Sequence, residues 1–212
     1  MLLVLSQLAA FAAVTVDPHQ LRSAPPAFVP SGVLDEDQAS MVADELAALG
    51  TLYVSDTVDG FLYEVELRGT ARVRGVPCRG SVHVLPDGSW TCELRAPWSV
   101  GGLTLPTEAW LRFAVGSGQL IGWSEPGERT TVLSGVPCAG EVEIGDDGDL
   151  RGCMLARAHS FRGSEAVPAG AKVELEGGRL QGAELRTDGG RTVHTYDPRG
   201  RVVRTEDVGA PD

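Results

Sequence analysis

Basic residues are scarce in this chain of 212 residues, and lysine is nearly absent. The 18 Lys and Arg residues stand against 29 Asp and Glu residues, the formal net charge is −11, and Lys172 is the single lysine. So acidic a chain is repelled by phosphate groups. We therefore expect neither nucleic acid nor an anionic membrane surface among its partners.

Recognisable catalytic motifs are missing as well. The sequence contains no HExxH, no GxSxG and no phosphate-binding loop. The four histidines share no metal-ligand spacing: His19, His83, His159 and His194. Three hydroxyl residues have no identifiable base or orienting acid: Thr130, Ser160 and Ser164. We expect that the chain is not an enzyme and holds no cofactor. The alternative is a small secreted hydrolase whose site assembles from distant loops.

Only one long apolar run occurs, over residues 1–16. It is short for a membrane span, which needs about 20 residues. Ala10-Phe11-Ala12 resembles a cleavage site, although no Lys or Arg precedes the run. The run predicts a signal peptide over 1–16, a secreted or periplasmic product, and no membrane span after cleavage. The alternative is a buried first strand or helix.

The cysteines are few but evenly arranged. Cys78 and Cys92 are 14 residues apart, and Cys138 and Cys153 are 15 apart. An even number in an exported chain favours disulfides, and the spacing favours one bond within each pair. Crossed pairing is an alternative. A four-cysteine zinc site is less favoured, since its ligands usually lie two to four residues apart.

Two segments precede the regular part of the chain. Residues 17–30 contain four prolines and no periodicity, which indicates a Pro-rich linker. Residues 31–50 predict one capping helix that ends at Gly50. Five apolar residues have helical spacing there: Leu34, Met41, Val42, Leu46 and Leu49. Three acids lie in its first turn, where they suit the helix dipole: Asp35, Glu36 and Asp37.

Residues 51–205 alternate between apolar and polar side chains in short stretches that glycines interrupt. Tyr63, Val65 and Leu67, for example, alternate with Glu64 and Glu66. This period of two is typical of half-buried β-strands, and Asp-Gly pairs mark hairpin turns. The pattern predicts a mainly β domain, followed by a tail over 206–212.

An internal repeat divides this domain. Gly88, Gly118, Gly148 and Gly178 are spaced by 30 residues, and the pattern GVPCxGxV begins at Gly75 and again at Gly135. These matches indicate a 60-residue unit with two unlike halves. The two copies occupy about 75–134 and 135–196. A partial third copy would begin at 197.

The repeat favours an antiparallel β-hairpin meander, and the alternative is a parallel β-solenoid. We expect Gly122 and Gly182 to mark bulges or close backbone approach. The large side chains that we expect in the core are Trp90, Trp98, Trp110, Phe113, Trp123 and Phe161.

Two segments resemble bacterial repeat families. The stretch from Tyr196 to Val202, YDPRGRV, resembles the YD repeats of secreted Rhs-type proteins. Hairpins such as 142–150 resemble MORN-type repeats. These families are mainly shells, scaffolds and binding surfaces. Together with the predicted export, the disulfides, the repeat and the missing catalytic motifs, this leads us to expect an exported binding or scaffolding module of the bacterial envelope or extracellular space. Its partner would be a protein or envelope component.

One turn carries a weak candidate for calcium. Asp146, Asp147 and Asp149 supply three carboxylates in the sequence GDDGD. Asp and Gly are also common at hairpin tips for conformational reasons, so a polar turn is the simpler interpretation.

Overall fold

The computed structural model describes residues 14–21, 47–58, 60–69, 71–85, 87–114, 118–127, 129–145, 147–187 and 190–209. These residues form nineteen β-strands and one 3-10 turn, Pro18–Gln20. The strands are β1 (Val14–Val16), β2 (Gly50–Thr57), β3 (Gly60–Leu67), β4 (Ala71–Val73), β5 (Val76–Val84), β6 (Trp90–Leu94), β7 (Trp98–Val100), β8 (Leu103–Leu105), β9 (Trp110–Phe113), β10 (Leu120–Ser124), β11 (Thr131–Leu133), β12 (Val136–Ile144), β13 (Leu150–Leu155), β14 (His159–Ser160), β15 (Ala166–Val167), β16 (Lys172–Glu176), β17 (Arg179–Thr187), β18 (Gly190–Tyr196) and β19 (Val202–Gly209).

Twelve of these strands form one long open sheet. Its order is β2-β3-β5-β6-β9-β10-β12-β13-β16-β17-β18-β19, and every neighbouring pair along this path is antiparallel. Successive strands therefore lie beside each other, apart from short excursions. The prediction of an antiparallel meander is confirmed.

The core lies on one face of this long sheet. Short hairpins formed by β7–β8 and β14–β15, together with residues 14–21, contribute to the same buried cluster as the sheet. The ring of Phe113 stacks on Trp90 at 4.3 Å and meets Trp98 edge to face at 5.7 Å. Since Trp98 belongs to β7, the β7–β8 hairpin packs against the core face of the sheet.

The β4–β5 and β11–β12 pairings have the same register at an offset of 60 residues. Ala71 lies opposite Cys78, and Thr131 lies opposite Cys138. The following hairpins, β5–β6 and β12–β13, are both bulged directly after these cysteines. The two hairpin regions are thus built alike.

Both disulfides span these bulges. Cys78 is bonded to Cys92 and Cys138 to Cys153, with Cα–Cα distances of 5.8 and 5.7 Å. All four side chains are buried. Each bond joins the cysteine before the bulge to the cysteine that is paired after it: Cys78 lies opposite Leu94, and Cys92 lies opposite Val82. The predicted pairing is confirmed.

The spaced turn glycines also adopt one conformation. Gly88, Gly118, Gly148 and Gly178 have φ values of 75°, 60°, 87° and 73°, a region that favours glycine. The correspondence does not extend into the predicted third copy. Pro77 and Pro137 lie within strands at equivalent positions, whereas the described Pro198 lies in the turn between β18 and β19.

The first described residues belong to the fold. Val14–Val16 pair in parallel with Thr131–Leu133, and the carbonyl of Leu21 accepts a hydrogen bond of 2.8 Å from Leu120 N. Val16 and Leu21 are buried. Val16, at the end of the predicted signal peptide, and Leu21, in the predicted linker, are therefore packed in the folded protein. A cleavage that preserves β1 must precede Val14.

The rest of the predicted N-terminal organisation lies outside the described residues. That holds for residues 1–13 of the signal peptide and for 22–46, which contain most of the linker and most of the capping helix. Ala47 is the last helical residue, and Gly50 begins β2, so the predicted helix ends earlier than expected. Within the described ranges, we find no helix with the length and apolarity to cross a membrane.

The predicted C-terminal tail begins too early. The strand β19 continues through residue 206 to Gly209, paired with β18 along its length. Residues 206–209 are therefore part of the sheet. Their side chains are exposed, and backbone pairing with β18 holds them in place.

Candidate binding surface

The outer face of the long sheet is the face turned away from the core. On β9, Leu111 and Phe113 are buried while Trp110 and Arg112 are exposed. The same alternation of buried and accessible side chains occurs on the neighbouring strand β6 and on the last residues of β12. The sheet thereby presents one polar surface to solvent.

One row of opposed residues crosses all twelve strands of this face. In strand order from β2 to β19, the row contains Tyr53, Glu64, His83, Thr91, Arg112, Gly122, Glu143, Gly152, Glu174, Gly182, Thr195 and Arg204. Gly122, Gly152 and Gly182 are spaced by 30 residues and alternate with Glu143 and Glu174. Near the centre of the outer face, positions without side chains therefore alternate with carboxylates.

Each of these glycines lies beside a bulge, and two lie close to a neighbouring backbone. A Cβ added to Gly122 would lie 3.0 Å from Val142 O, and one added to Gly152 would lie 2.8 Å from Val173 O. The register shifts next to Gly122, Gly152 and Gly182. The bulges predicted at Gly122 and Gly182 are confirmed, and Gly152 is a third position of the same kind.

A shallow cleft of about 680 Å³ opens over this part of the outer face. Its floor includes Gly122, and its rim includes Trp110, Arg112, Glu141 and Glu143. The cleft thus brings an indole, a guanidinium and two carboxylates to the side of Gly122, a position without a side chain. We call it the Trp110 cleft.

Trp110 corrects one prediction about the core. Its residue surface is 45% exposed, whereas Trp90 and Trp123 are buried and Trp98 is half-buried against the core. The local pattern Trp-Leu-Arg-Phe on β9 contains the signal for this difference. Period-two alternation places Trp110 on the face of Arg112, opposite to Leu111 and Phe113. The prediction that placed Trp110 in the core used the size of the side chain alone and was wrong.

Arg112 is held in place by the preceding Asp-Gly turn. Its Nε donates to Ser89 Oγ at 3.0 Å, and its Nη2 donates to Asp87 Oδ2 at 2.6 Å. Partial burial raises the pKa of the Asp87 carboxyl, but hydrogen bonds from Ser89 and the charge of Arg112 outweigh it, and the net pKa lies below its usual value. The guanidinium is therefore oriented by an ionised partner.

Lys172 occupies the other side of the carboxylate pair. Its Nζ lies 2.9 Å from Glu141 Oε1 and 3.6 Å from Glu143 Oε1. The hydrogen bond to Glu141 holds the pKa of the Lys172 ammonium above its usual value, and the charges of both glutamates act in the same direction against burial. The single lysine of the chain thus orders the acidic wall of the cleft.

A second cleft, of about 640 Å³, lies between the β14–β15 region and the last hairpin. Tyr196, His194 and Glu165 contribute to its lining. Burial and then the charge of Glu165 raise the pKa of Tyr196. His194 Nδ1 lies 3.0 Å from Thr205 Oγ1 and therefore pairs within the sheet.

The remaining histidines are scattered. His83 lies on the outer face, 6.3 Å from the Trp110 ring, and His19 lies against Gly148. His159 packs on Phe161 at 4.7 Å, where burial and then the charge of Arg157 lower its pKa. Neither cleft described above is lined by His159.

Ser164 has a structural partner. Its Oγ donates to Phe161 O at 3.2 Å and accepts from Phe161 N at 3.1 Å. These bonds close the turn that follows β14. Ser160 is the second residue of β14, and Thr130 immediately precedes β11.

The acidic turn is organised by arginine. The Asp147 carboxylate accepts hydrogen bonds from Asp149 N at 3.0 Å and from Arg151. Asp146 lies outside the described residues. Where side chains are described, no group of three His, Cys, Asp or Glu residues is arranged to hold a metal ion.

Comparison with known proteins returned no relative. No family model matches the chain, and neither a curated protein nor a solved structure is detectably similar to it. A functional proposal must therefore rest on the geometry of the surface.

Proposed function

We propose that this protein is an exported binding or scaffolding module, and that the Trp110 cleft is the centre of its contact with a protein partner. The observation that carries this proposal is the position of Trp110. Trp110 is 45% exposed on an open sheet face, although tryptophan is highly buried on average. An aromatic side chain left there, beside a floor of glycine, favours binding.

The side chains around the cleft are of the kinds that dominate protein interfaces. Tryptophan and arginine are enriched among residues that contribute most to binding, and they act best when a polar rim surrounds them. Arg112 is pre-oriented by Asp87 and Ser89, so little conformational entropy is lost when it is contacted. Glu141 and Glu143 supply the polar rim.

Export is supported by the disulfides. No cysteine is free, and all four lie in the described part of the chain. Disulfides persist in oxidising compartments and are rare in the cytosol. Together with the apolar residues that precede β1, this favours a secreted or periplasmic location. The partner is then a protein of the bacterial envelope or of the extracellular space.

The repeated architecture supports a scaffolding role. The shared register of β4–β5 and β11–β12, the two matched disulfides, and the glycines at 122, 152 and 182 are consistent with duplication of a 60-residue unit. Duplication of a hairpin unit lengthens a sheet without needing a new core design. The product is a broad surface, which suits binding better than enclosed chemistry.

The test is capture from the native source with matched variants. The exported protein is immobilised as wild type, as Trp110→Ala and as Tyr53→Ala, where Tyr53 is an exposed aromatic residue at the sheet edge. We expect one protein to be retained by wild type and Tyr53→Ala and to be lost with Trp110→Ala. Equal retention by all three variants would contradict the assignment of the cleft. An envelope glycan that is retained without protein would contradict the proposed partner.

A further inference from the structure

The last strand of the sheet, β19, has no pairing partner on its outer edge among the residues that the structure describes. All eight residues of β19 are exposed, including Val202, Val203 and Val208. β19 pairs with β18 on one side only and ends the sheet order. Such an edge presents a row of backbone N–H and C=O groups that can pair with another strand.

The charges along β19 are complementary to those of a second, antiparallel copy of the same strand. Arg204 and Glu206 are two residues apart, on the same face, and they form an ion pair within the strand. Suppose two copies of β19 pair antiparallel with Thr205 opposite Thr205. Arg204 of each copy then lies opposite Glu206 of the other, and two ion pairs form across the junction.

Neighbouring registers lack this match. A shift that centres the pairing on Arg204 opposes two arginines, and a shift that centres it on Glu206 opposes two glutamates. Like charges directly opposite each other destabilise a strand pair. A shift by one residue would place the outer face of one copy beside the opposite face of the other. The register centred on Thr205 is therefore the one in which Arg204 lies opposite Glu206 of the other copy.

We propose that β19 is a self-association edge, at which two copies of this chain join with two-fold symmetry about Thr205 and extend the outer face into one sheet. We name a second copy as the occupant because the partner strand must carry an Arg and a Glu in the same order as β19. The proposal does not depend on what the Trp110 cleft binds.

The opposite edge offers no comparable pattern. In β2, Asp56 is the single charged residue, so pairing of β2 with itself offers no ion pair, and pairing with β19 offers at most one. A contact between β19 and β2 of the next copy would be head to tail and would propagate into a filament. A closed dimer is therefore the expected product.

The contact is small, and we expect it to be reversible. It comprises one strand per copy, which places it among the weak interfaces. Sedimentation of the full chain across a concentration series should show monomer converting to dimer and no larger species. A monomer at every concentration, or growth beyond a dimer, would overturn the proposal.

Charge reversal tests the register. In Arg204→Glu and in Glu206→Arg, like charges face each other at both positions, and the dissociation constant of the dimer should rise about tenfold or more. The double variant R204E/E206R restores opposite charges and should restore the dimer. An equimolar mixture of the two single variants should form a heterodimer. If the single variants dimerise as wild type does, the proposed register is wrong.

Cross-linking gives a second measurement with its own control. Opposed residues in antiparallel strands have Cα atoms about 4.5–5.5 Å apart, within disulfide range. Because the native cysteines are all bonded, Thr205→Cys introduces the single free thiol. Thr205→Cys should form a covalent dimer under mild oxidation, and Val208→Cys should not. Equal cross-linking of both variants would contradict symmetry about Thr205, and circular dichroism verifies that each variant is folded.

Discussion

Arg112 lies directly opposite Gly122 in the pairing of β9 with β10, and a Cβ added to Gly122 would be 3.9 Å from the Arg112 Cβ. The guanidinium therefore stands beside a position without a side chain, at the floor of the Trp110 cleft. Asp87 and Ser89 hold it from the other side. The cleft thus results from a glycine in one strand and a fixed arginine in the next.

Gly152 should tolerate no side chain. In Gly152→Ala, the new Cβ would lie 2.8 Å from Val173 O, so β13 and β16 would have to separate. We expect the free energy of unfolding to fall by about 1–3 kcal/mol, which is typical of overpacking. Gly209→Ala is the control, since an added Cβ meets nothing within 4 Å there. Equal stability of the two variants in urea unfolding would contradict the close approach.

The disulfides should contribute nearly equally to stability. The bonds Cys78–Cys92 and Cys138–Cys153 close loops of 14 and 15 residues. The paired alanine variants C78A/C92A and C138A/C153A should each lose about 3 kcal/mol of unfolding free energy. Urea unfolding under oxidising conditions measures both losses. Free thiols in the protein isolated from its native compartment would contradict the bonds themselves.

Acid should weaken the turn that orients Arg112. The pKa of Asp87 is lowered in the folded protein, because the Ser89 hydrogen bonds and Arg112 outweigh the opposing effect of burial. A lowered pKa gives stability that is complete above the unfolded pKa, about 3.9, and is lost as pH falls through the folded pKa. The stability advantage of wild type over Asp87→Asn should therefore be constant near neutral pH and shrink below about pH 4.

The comparison with Asp87→Asn has an internal control. Ser89→Ala removes a hydrogen bond to the Asp87 carboxylate, so its acid transition should begin at a higher pH than that of wild type. Unfolding free energies from pH 2.5 to 7 measure these differences. If the stability advantage of wild type over Asp87→Asn stays constant or grows as pH falls, the Ser89 hydrogen bonds and Arg112 do not lower the pKa of Asp87.

The first described residues should be essential for stability. Leu21 is completely buried, while the neighbouring Gln20 is exposed. Leu21→Ala should lower the unfolding free energy by about 2–5 kcal/mol, and Gln20→Ala should change it little. N-terminal sequencing of the native product should find a first residue at or before Val14. A mature chain that begins after Leu21 would contradict the packing of this segment.

Much of the fold could be predicted because its signals are local. Alternation on β3, Asp-Gly turns and the spacing of the cysteines depend on near neighbours in sequence, and they led to the meander and the disulfides. The burial of Leu21 could not be predicted in this way. Leu21 belongs to the core cluster, and its carbonyl accepts a hydrogen bond from Leu120 N, about a hundred residues away, which no local pattern records.

The candidate site was hidden for a similar reason. Trp110 and Arg112 share a face by alternation, but Gly122 becomes the floor of the cleft only through the strand register, which a bulge shifts by one residue. The sequence predicted Asp87 as part of an Asp-Gly turn. Its bond to Arg112, 25 positions later, follows from the pairing of β6 with β9.

The most direct test of the account is the affinity of the purified partner for the chain with an altered cleft. Calorimetry with the protein recovered by capture would compare wild type, Trp110→Ala and the edge control Tyr53→Ala. We predict that Trp110→Ala raises the dissociation constant at least about thirtyfold, the loss of roughly 2 kcal/mol typical of a binding hot spot, while Tyr53→Ala changes it by less than about threefold. A folded Trp110→Ala variant that binds as tightly as wild type would contradict the assignment of the Trp110 cleft as the binding site.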